Sequence, residues 1–342
     1  MPDDALRPHL DHRTWATLTR AEKFCTRLIE NATNILHREI ANRAMPAADV
    51  CFAVVGPVGR MEALPGAEVE LIPVLRTQEA FDRYQPHDRS IRQMLRDGLG
   101  LKVSSGDDLT SPANAEELTA AASIGGDKDS SAALAKRIVL LTEGRQAGDG
   151  YPLADLRRAV LQTYAAADRA GGRHVWSFCD DVCRYYRALC VESRAKADDP
   201  VKDWCGRHMT LRHGRRLWYF SLVFAAVAVG DSPLSDGEYV RRLLEEFDRP
   251  PYVRLFRAVS AAQRGQVGRI LEPFGWFLDF MSEPARRDAL AKVEHATRQR
   301  LDLQNPFHAV QFNAERMQQE MVTLIESQEA HVRQRLFARF LL

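Results

Sequence analysis

No stretch of this chain is apolar for long enough to cross a membrane. The longest apolar run, residues 217–229, is about 13 residues and contains Ser221, against the ~20 that a spanning helix needs. A buried helix is expected there. The opening Met1-Pro-Asp-Asp-Ala has no apolar core of a secretion signal, so a cytoplasmic location is expected. An excess of one charge is missing too: 47 Lys and Arg face 46 Asp and Glu, a net charge of +1. That removes any global pull toward nucleic acid or an anionic membrane, and any basic site must be local. Cysteine is sparse. None of Cys25, Cys51, Cys179, Cys183, Cys190 and Cys205 stands at Cys-x-x-Cys spacing, and they read as reduced, metal-free core thiols. Cys179 and Cys183, one helical turn apart, and Cys205 three residues before His208 are the pairs with ligand-like spacing. No internal repeat or low-complexity tract occurs. G-x-x-x-x-G-K-[ST], H-E-x-x-H and G-x-S-x-G are all absent, and with them the chemistries those motifs carry.

What is present begins with a strand, a glycine turn and a second strand. The runs 50–55 and 69–74 are apolar and rich in valine, and Gly56, Gly59 and Gly66 lie between them. Glu68 and Glu70 stand two apart as the second run begins. In an extended chain such residues share a face. Two like charges held that close are unfavourable unless a cation sits between them. A glycine turn beside paired acids is a way to hold a phosphate and its Mg²⁺. Around this core the pattern predicts a helix over 19–44, with Thr19 and Glu22 as a capping box and Phe24, Leu28, Ile35 and Leu36 as its apolar stripe. It predicts a helical stretch over 78–98 broken near Pro86, a third strand over 99–104 and a turn at Ser104-Ser-Gly-Asp-Asp. Residues 107–131 read as a surface connection, 132–143 as helix, and most of the chain from Leu153 onward as helix punctuated by glycine and proline.

Gly56, Gly59, Arg60 and Glu62, with Glu68-Val69-Glu70 at the following spacing, resemble the DNA polymerase β-like nucleotidyltransferases. The similar variant is the G-x-x-G-R-x-E…S-D-x-D turn of the PII-protein uridylyltransferases and related bacterial proteins. Asp181, Arg184, Tyr185, Tyr186 and Arg187 match a helix motif, Asp-x-x-Arg-Tyr-(Tyr/Trp)-Arg, that follows the palm in such proteins. Trp204, Arg207, Arg215 and Arg216 fit the next one. Residues 124–130 and 136–143 also look like segments that follow the palm in a bacterial subgroup. The resemblance spans roughly residues 20–225. It departs from the family at Pro57, at Ala67, Glu68 and Glu70 where Ser-Asp-x-Asp is usual, and at Thr210 and Gly214.

The resemblance implies an α+β fold: a small polymerase β-like palm at 15–125, then a larger all-α helical bundle at 126–342. It implies transfer of a nucleoside monophosphate from an NTP to a protein, small-molecule or RNA acceptor, with Mg²⁺ or Mn²⁺ as cofactor. Glu68 and Glu70 would be the metal ligands and Asp107 the third catalytic acid, with Asp97 as the alternative. Gly56, Gly59, Arg60, Arg184, Arg187 and Arg215 would contact the nucleotide. The substituted motif positions imply the alternative of a non-catalytic relative that binds a nucleotide or a protein. Two further features stand beside this reading. Arg207, Arg212, Arg215 and Arg216, with His208 and His213, form a local basic cluster interleaved with Trp204, Trp218 and Tyr219, a pattern that suits a solvated face or an RNA contact. The apolar end, Leu336-Phe-Ala-Arg-Phe-Leu-Leu, needs cover from this chain's own bundle, a second copy or another protein.

Overall fold

The computed structural model describes residues 3–120, 124, 129–167, 176–197, 203–231, 234–298 and 305–340. Of the segments named above, residues 121–123, 125–128 and 341–342, and residues 168–175, 198–202, 232–233 and 299–304 of the stretch read as helix, lie outside them. In chain order the elements are α1 (His12–Asn42), β1 (Val50–Val55), α2 (Gly56–Gly59), β2 (Glu70–Leu75), α3 (Gln78–Tyr84), α4 (Asp88–Leu99), β3 (Ala113–Asn114), α5 (Ala115–Thr119), α6 (Ser131–Thr142) and β4 (Arg145–Ala147). There follow α7 (Leu153–Ala167), α8 (Trp176–Ala195), α9 (Trp204–Thr210), α10 (Arg216–Gly230), α11 (Asp236–Phe247), α12 (Pro251–Ala258), α13 (Arg264–Ser282), α14 (Pro284–Ala291), α15 (Phe307–Glu326) and α16 (Ala330–Phe340). The class is α+β. No described helix is long and apolar enough to cross a membrane.

Two compact units divide the chain, and they interleave in sequence. One holds residues 22–181 and 232–250, the other 1–21, 182–231 and 251–342. The expected division near residue 125 is therefore replaced. β4 joins the sheet, α6 and α7 pack on β1, and α11 packs on α7, so the chain through residue 181 belongs with the sheet.

The sheet runs β3-β2-β1-β4. β1 is its buried heart: all six residues are buried, as expected of a strand covered on both faces. It pairs antiparallel with β2, from Val50 opposite Leu75 to Val55 opposite Glu70, and antiparallel with β4. Val50, Phe52 and Val54 share a core with Cys25, Leu28, Ile35 and Leu36 of α1 and with Ile91 and Leu95 of α4. Of the α1 stripe read from the sequence, Leu28, Ile35 and Leu36 are buried and Phe24 packs partly buried against this core. The start of α1 differs from expectation: the helix begins seven residues earlier, where Asp11 accepts from the Thr14 backbone N–H at 2.8 Å. Thr19 lies inside the helix, because Asp11 supplies a competing local cap one turn before Thr14.

The outer edge of β2 also differs from expectation. Residues 99–104 make one parallel bridge, Val103 to Val69, and the third strand is β3. Gly100, at φ 63°, ends α4 in the left-handed cap that favours glycine. Between these pairings the edge is closed by side chains. The Leu71 N–H donates to Ser104 Oγ (3.2 Å), and buried Arg92 donates to the Leu71 carbonyl (3.1 Å), the Ser104 carbonyl (3.2 Å) and the Thr110 carbonyl (2.6 Å). Pro73, two residues on, has no N–H to satisfy on that edge.

The helical unit is built on α10, nearly all of whose residues are buried, as expected of the longest apolar run. α12 and α16 pack against it. Phe340 stacks on Phe220 at 5.3 Å and Leu336 is wholly buried, so these two apolar C-terminal residues find cover in their own bundle, whereas Phe337 is exposed. Five cysteines are buried, whereas Cys190 is exposed, a departure from the expected set of core thiols. Leading into α10, residues Leu211–Arg215 form a π-helical turn. His213 within it is fully buried and stacks on Phe277 at 4.0 Å. Its Nδ1–H donates to the Met209 carbonyl (2.8 Å), and its Nε2 accepts from Asn313 Nδ2 (3.1 Å). That arrangement suits the neutral ring, and burial pushes its pKa down to about 3. The unfolded chain therefore binds a proton below about pH 6.5 that the folded chain refuses. Stability should fall as pH drops from about 6.5 toward 4, with this residue contributing a slope of up to about 1.4 kcal/mol per pH unit. Urea denaturation across that range should show the slope flattened in His213→Gln; an unchanged slope would mean that His213 is not the titrating group.

Candidate functional site

The turn between β1 and β2 is set by steric need. Gly56 sits at φ +68°, and a methyl group there would stand 2.6 Å from the Glu70 carboxyl carbon. A methyl group on Gly59 would stand 2.4 Å from the Glu143 carbonyl oxygen and 2.7 Å from that of Val54. Glycine is thus required twice, once by backbone conformation and once by close packing. The first requirement locates Glu70: its carboxylate lies over the Gly56 backbone, at the end of β2 opposite Val55.

Glu68 is exposed, Val69 buried and Glu70 half-buried, the alternation of an extended chain with both acids on the side away from Val69. Their oxygen donors are of the hard kind that suits Mg²⁺, which commonly binds one or two carboxylates together with substrate phosphates. The expected third acid is not assembled with them. Asp107 is exposed in a loop, where it accepts from the Thr110 N–H (3.1 Å) and hydroxyl (2.7 Å). Asp97 lies on α4 and accepts from Gln93. Among the described residues no group of three or more His, Cys, Asp or Glu side chains gathers as a metal site.

Arg60 differs most from its expected role as a nucleotide contact. It is 1 % exposed. Its Nε donates to Glu62 Oε1 at 2.7 Å, Nη2 pairs with the same oxygen, and Nη1 donates to Glu143 Oε2 at 2.7 Å. Burial alone would lower its pKa, but Glu62 and Glu143, with a smaller contribution from Glu70, hold it above the ordinary value. The guanidinium is a brace inside the fold. Glu143 Oε2 also accepts from the Gly56 N–H at 3.1 Å, so the donor expected to face a phosphate is turned to the protein's own carboxylate. The Gly59 carbonyl is held by Arg145 Nε at 3.1 Å.

The remaining expected contacts belong to the helical unit. Arg184 and Arg187 are exposed on α8, with Asp180. Arg215 is half-buried with its guanidinium 5.8 Å from the Trp218 ring centroid. Asp181, the acid of the first helix motif, is buried and accepts from the Tyr164 hydroxyl at 2.6 Å. Its observed bond is structural.

Glu143 is the residue the sequence reading overlooked. The signal was there: an acid closing an apolar helix, Ile138-Val-Leu-Leu-Thr-Glu143, is opposed by the helix dipole and needs a cation. Comparison of the chain with protein-family models, curated proteins and solved structures gives no match in any of the three.

Removing Arg60 strands two buried carboxylates, a change that typically costs about 3–5 kcal/mol. Arg60→Met should destabilise by that order in urea denaturation, and adding Glu62→Gln and Glu143→Gln should recover most of the loss. A cost below about 1 kcal/mol for Arg60→Met would mean that packing alone holds the turn.

Proposed function

We propose that this chain is a nucleotidyltransferase-like protein that takes a nucleoside triphosphate as its Mg²⁺ complex at the β1–β2 turn, with group transfer slow or lost. The observation that carries this reading is the Glu70 carboxylate over Gly56, with Glu143 taking the Gly56 N–H. A turn so lined repels a bare triphosphate and attracts a cation. Glu68 and Glu70 would hold the ion, which when bound would neutralise phosphate charge. Affinity then comes through the carboxylates more than through backbone donors.

The non-catalytic form of the reading is favoured by Asp107, which caps the Thr110 turn and joins no acidic group. Positioning is the main requirement of phosphoryl chemistry, and misplacement by about 1 Å costs ~10²-fold. Glutamate in both metal positions and Pro57 in the turn add to that misplacement. An acceptor of the protein, small-molecule or RNA class belongs to the transfer-competent form of the same reading.

Calorimetry with each NTP should give binding in Mg²⁺ or Mn²⁺ that is abolished by EDTA and by Glu70→Gln. Binding that survives EDTA would return the affinity to backbone donors and overturn the metal-bridged reading. With labelled NTP, transfer should be absent or slow, and Glu68→Asp with Glu70→Asp should raise it. Brisk transfer by the wild type that falls in the Asp variant would make the glutamates adaptations and defeat the idea of a degraded site.

A further inference from the structure

Wholly within the helical unit lies a concavity of about 270 Å³, lined by Arg194 of α8, Trp204 and His208 of α9, Arg212 of the π-turn, Arg216 of α10 and His295. No aspartate or glutamate is among the described residues that line it. Arg212 and Arg216 are four apart and both half-buried, an arrangement that like charges resist. Arg216 is steadied by a neutral partner, Gln318 Oε1 at 2.9 Å. Burial, followed by the charge of Arg216, lowers the Arg212 pKa, and Glu315, which accepts from Gln311, opposes that shift. His208 stacks on Trp204 at 4.6 Å, and His295 meets the same indole edge-on at 4.4 Å. The indole is pinned by its N–H bond to the Ser193 carbonyl at 2.7 Å. Burial, followed by the charges of Arg212, Arg216, Arg298 and His295, pushes the His208 pKa down to about 4. The three lining arginines therefore make the site positive even with His208 neutral. Partly desolvated guanidinium groups without a lining acid are stabilised by an anion, and arginine forks match phosphate oxygens in a bidentate manner.

We propose that this pocket binds a phosphorylated small molecule of about nucleoside monophosphate size, its phosphate between Arg212 and Arg216 and its organic part against Tyr186, Ala197 and Leu211. The volume exceeds what a lone phosphate fills and approaches the lower end of small-ligand pockets, about 300 Å³. Tyr186 offers a fixed wall, since its ring stacks on Tyr219 at 4.6 Å and 7°. The inference does not depend on the metal-bridged turn, which belongs to the other unit.

Cys190 lines the pocket and is the one described cysteine that is exposed, which supplies a local readout. Inorganic phosphate, ribose 5-phosphate, a nucleoside monophosphate and the matching nucleoside would be titrated without metal, following heat and the alkylation rate of Cys190 by iodoacetamide. The phosphate esters should bind and slow alkylation, inorganic phosphate should bind more weakly, and the nucleoside should do neither. Arg212→Gln with Arg216→Gln, checked for folding by circular dichroism, should weaken ester binding at least ~10-fold. Glu70→Gln should leave it unchanged. Absence of ester binding in the wild type, full affinity in the arginine variant, or binding of a short RNA in place of any ester would overturn the proposal. Loss of ester binding in Glu70→Gln would do the same, by assigning the signal to the turn.

Discussion

Arg60, buried between Glu62 and Glu143, is the contact on which the turn depends. One guanidinium binds the segment after β1 to the end of α6, and through Glu143 it reaches the Gly56 N–H. Burying three charges is expensive, and it is sustained here because the guanidinium donates to both acids through separate nitrogens. Two carboxylates against one cation still leave a negative surplus, and Glu70 over Gly56 enlarges it. The chemistry of the turn follows from that surplus. In the proposed reading it takes a cation, and an anion only when a cation accompanies it.

The helical unit holds the opposite sign in its own concavity. There the arginines of the π-turn and α10 converge with His208, whose pKa burial and neighbouring charge push down. A wider helical turn shifts the register of everything after it, and Leu211–Arg215 does this directly before α10. It buries His213 against Phe277 while leaving Arg212 and Arg216 in the pocket lining. A chain with a formal charge of +1 thus carries two local sites of strong and opposite polarity, which net charge could not reveal.

Much of the fold was legible because hydrophobic spacing reports burial directly. The six-residue β1, the α1 stripe of Leu28, Ile35 and Leu36, and the buried α10 all follow from which residues avoid water. Gly56 was legible as a required glycine and Glu70 as its neighbour, since strand period and turn length fix both.

Tertiary structure decided what the polar residues do. A motif gives the spacing of Arg60 and Glu62, but only the approach of α6, 83 residues from Arg60 along the chain, turns that arginine inward and takes the Gly56 N–H. Likewise, local pattern placed a strand at 99–104, whereas long-range contacts gave the edge to β3, Ser104 and Arg92. The physical reason is the range of the forces. Apolar periodicity is written into neighbouring residues, while a charge answers to whichever partner the fold brings within about 3 Å.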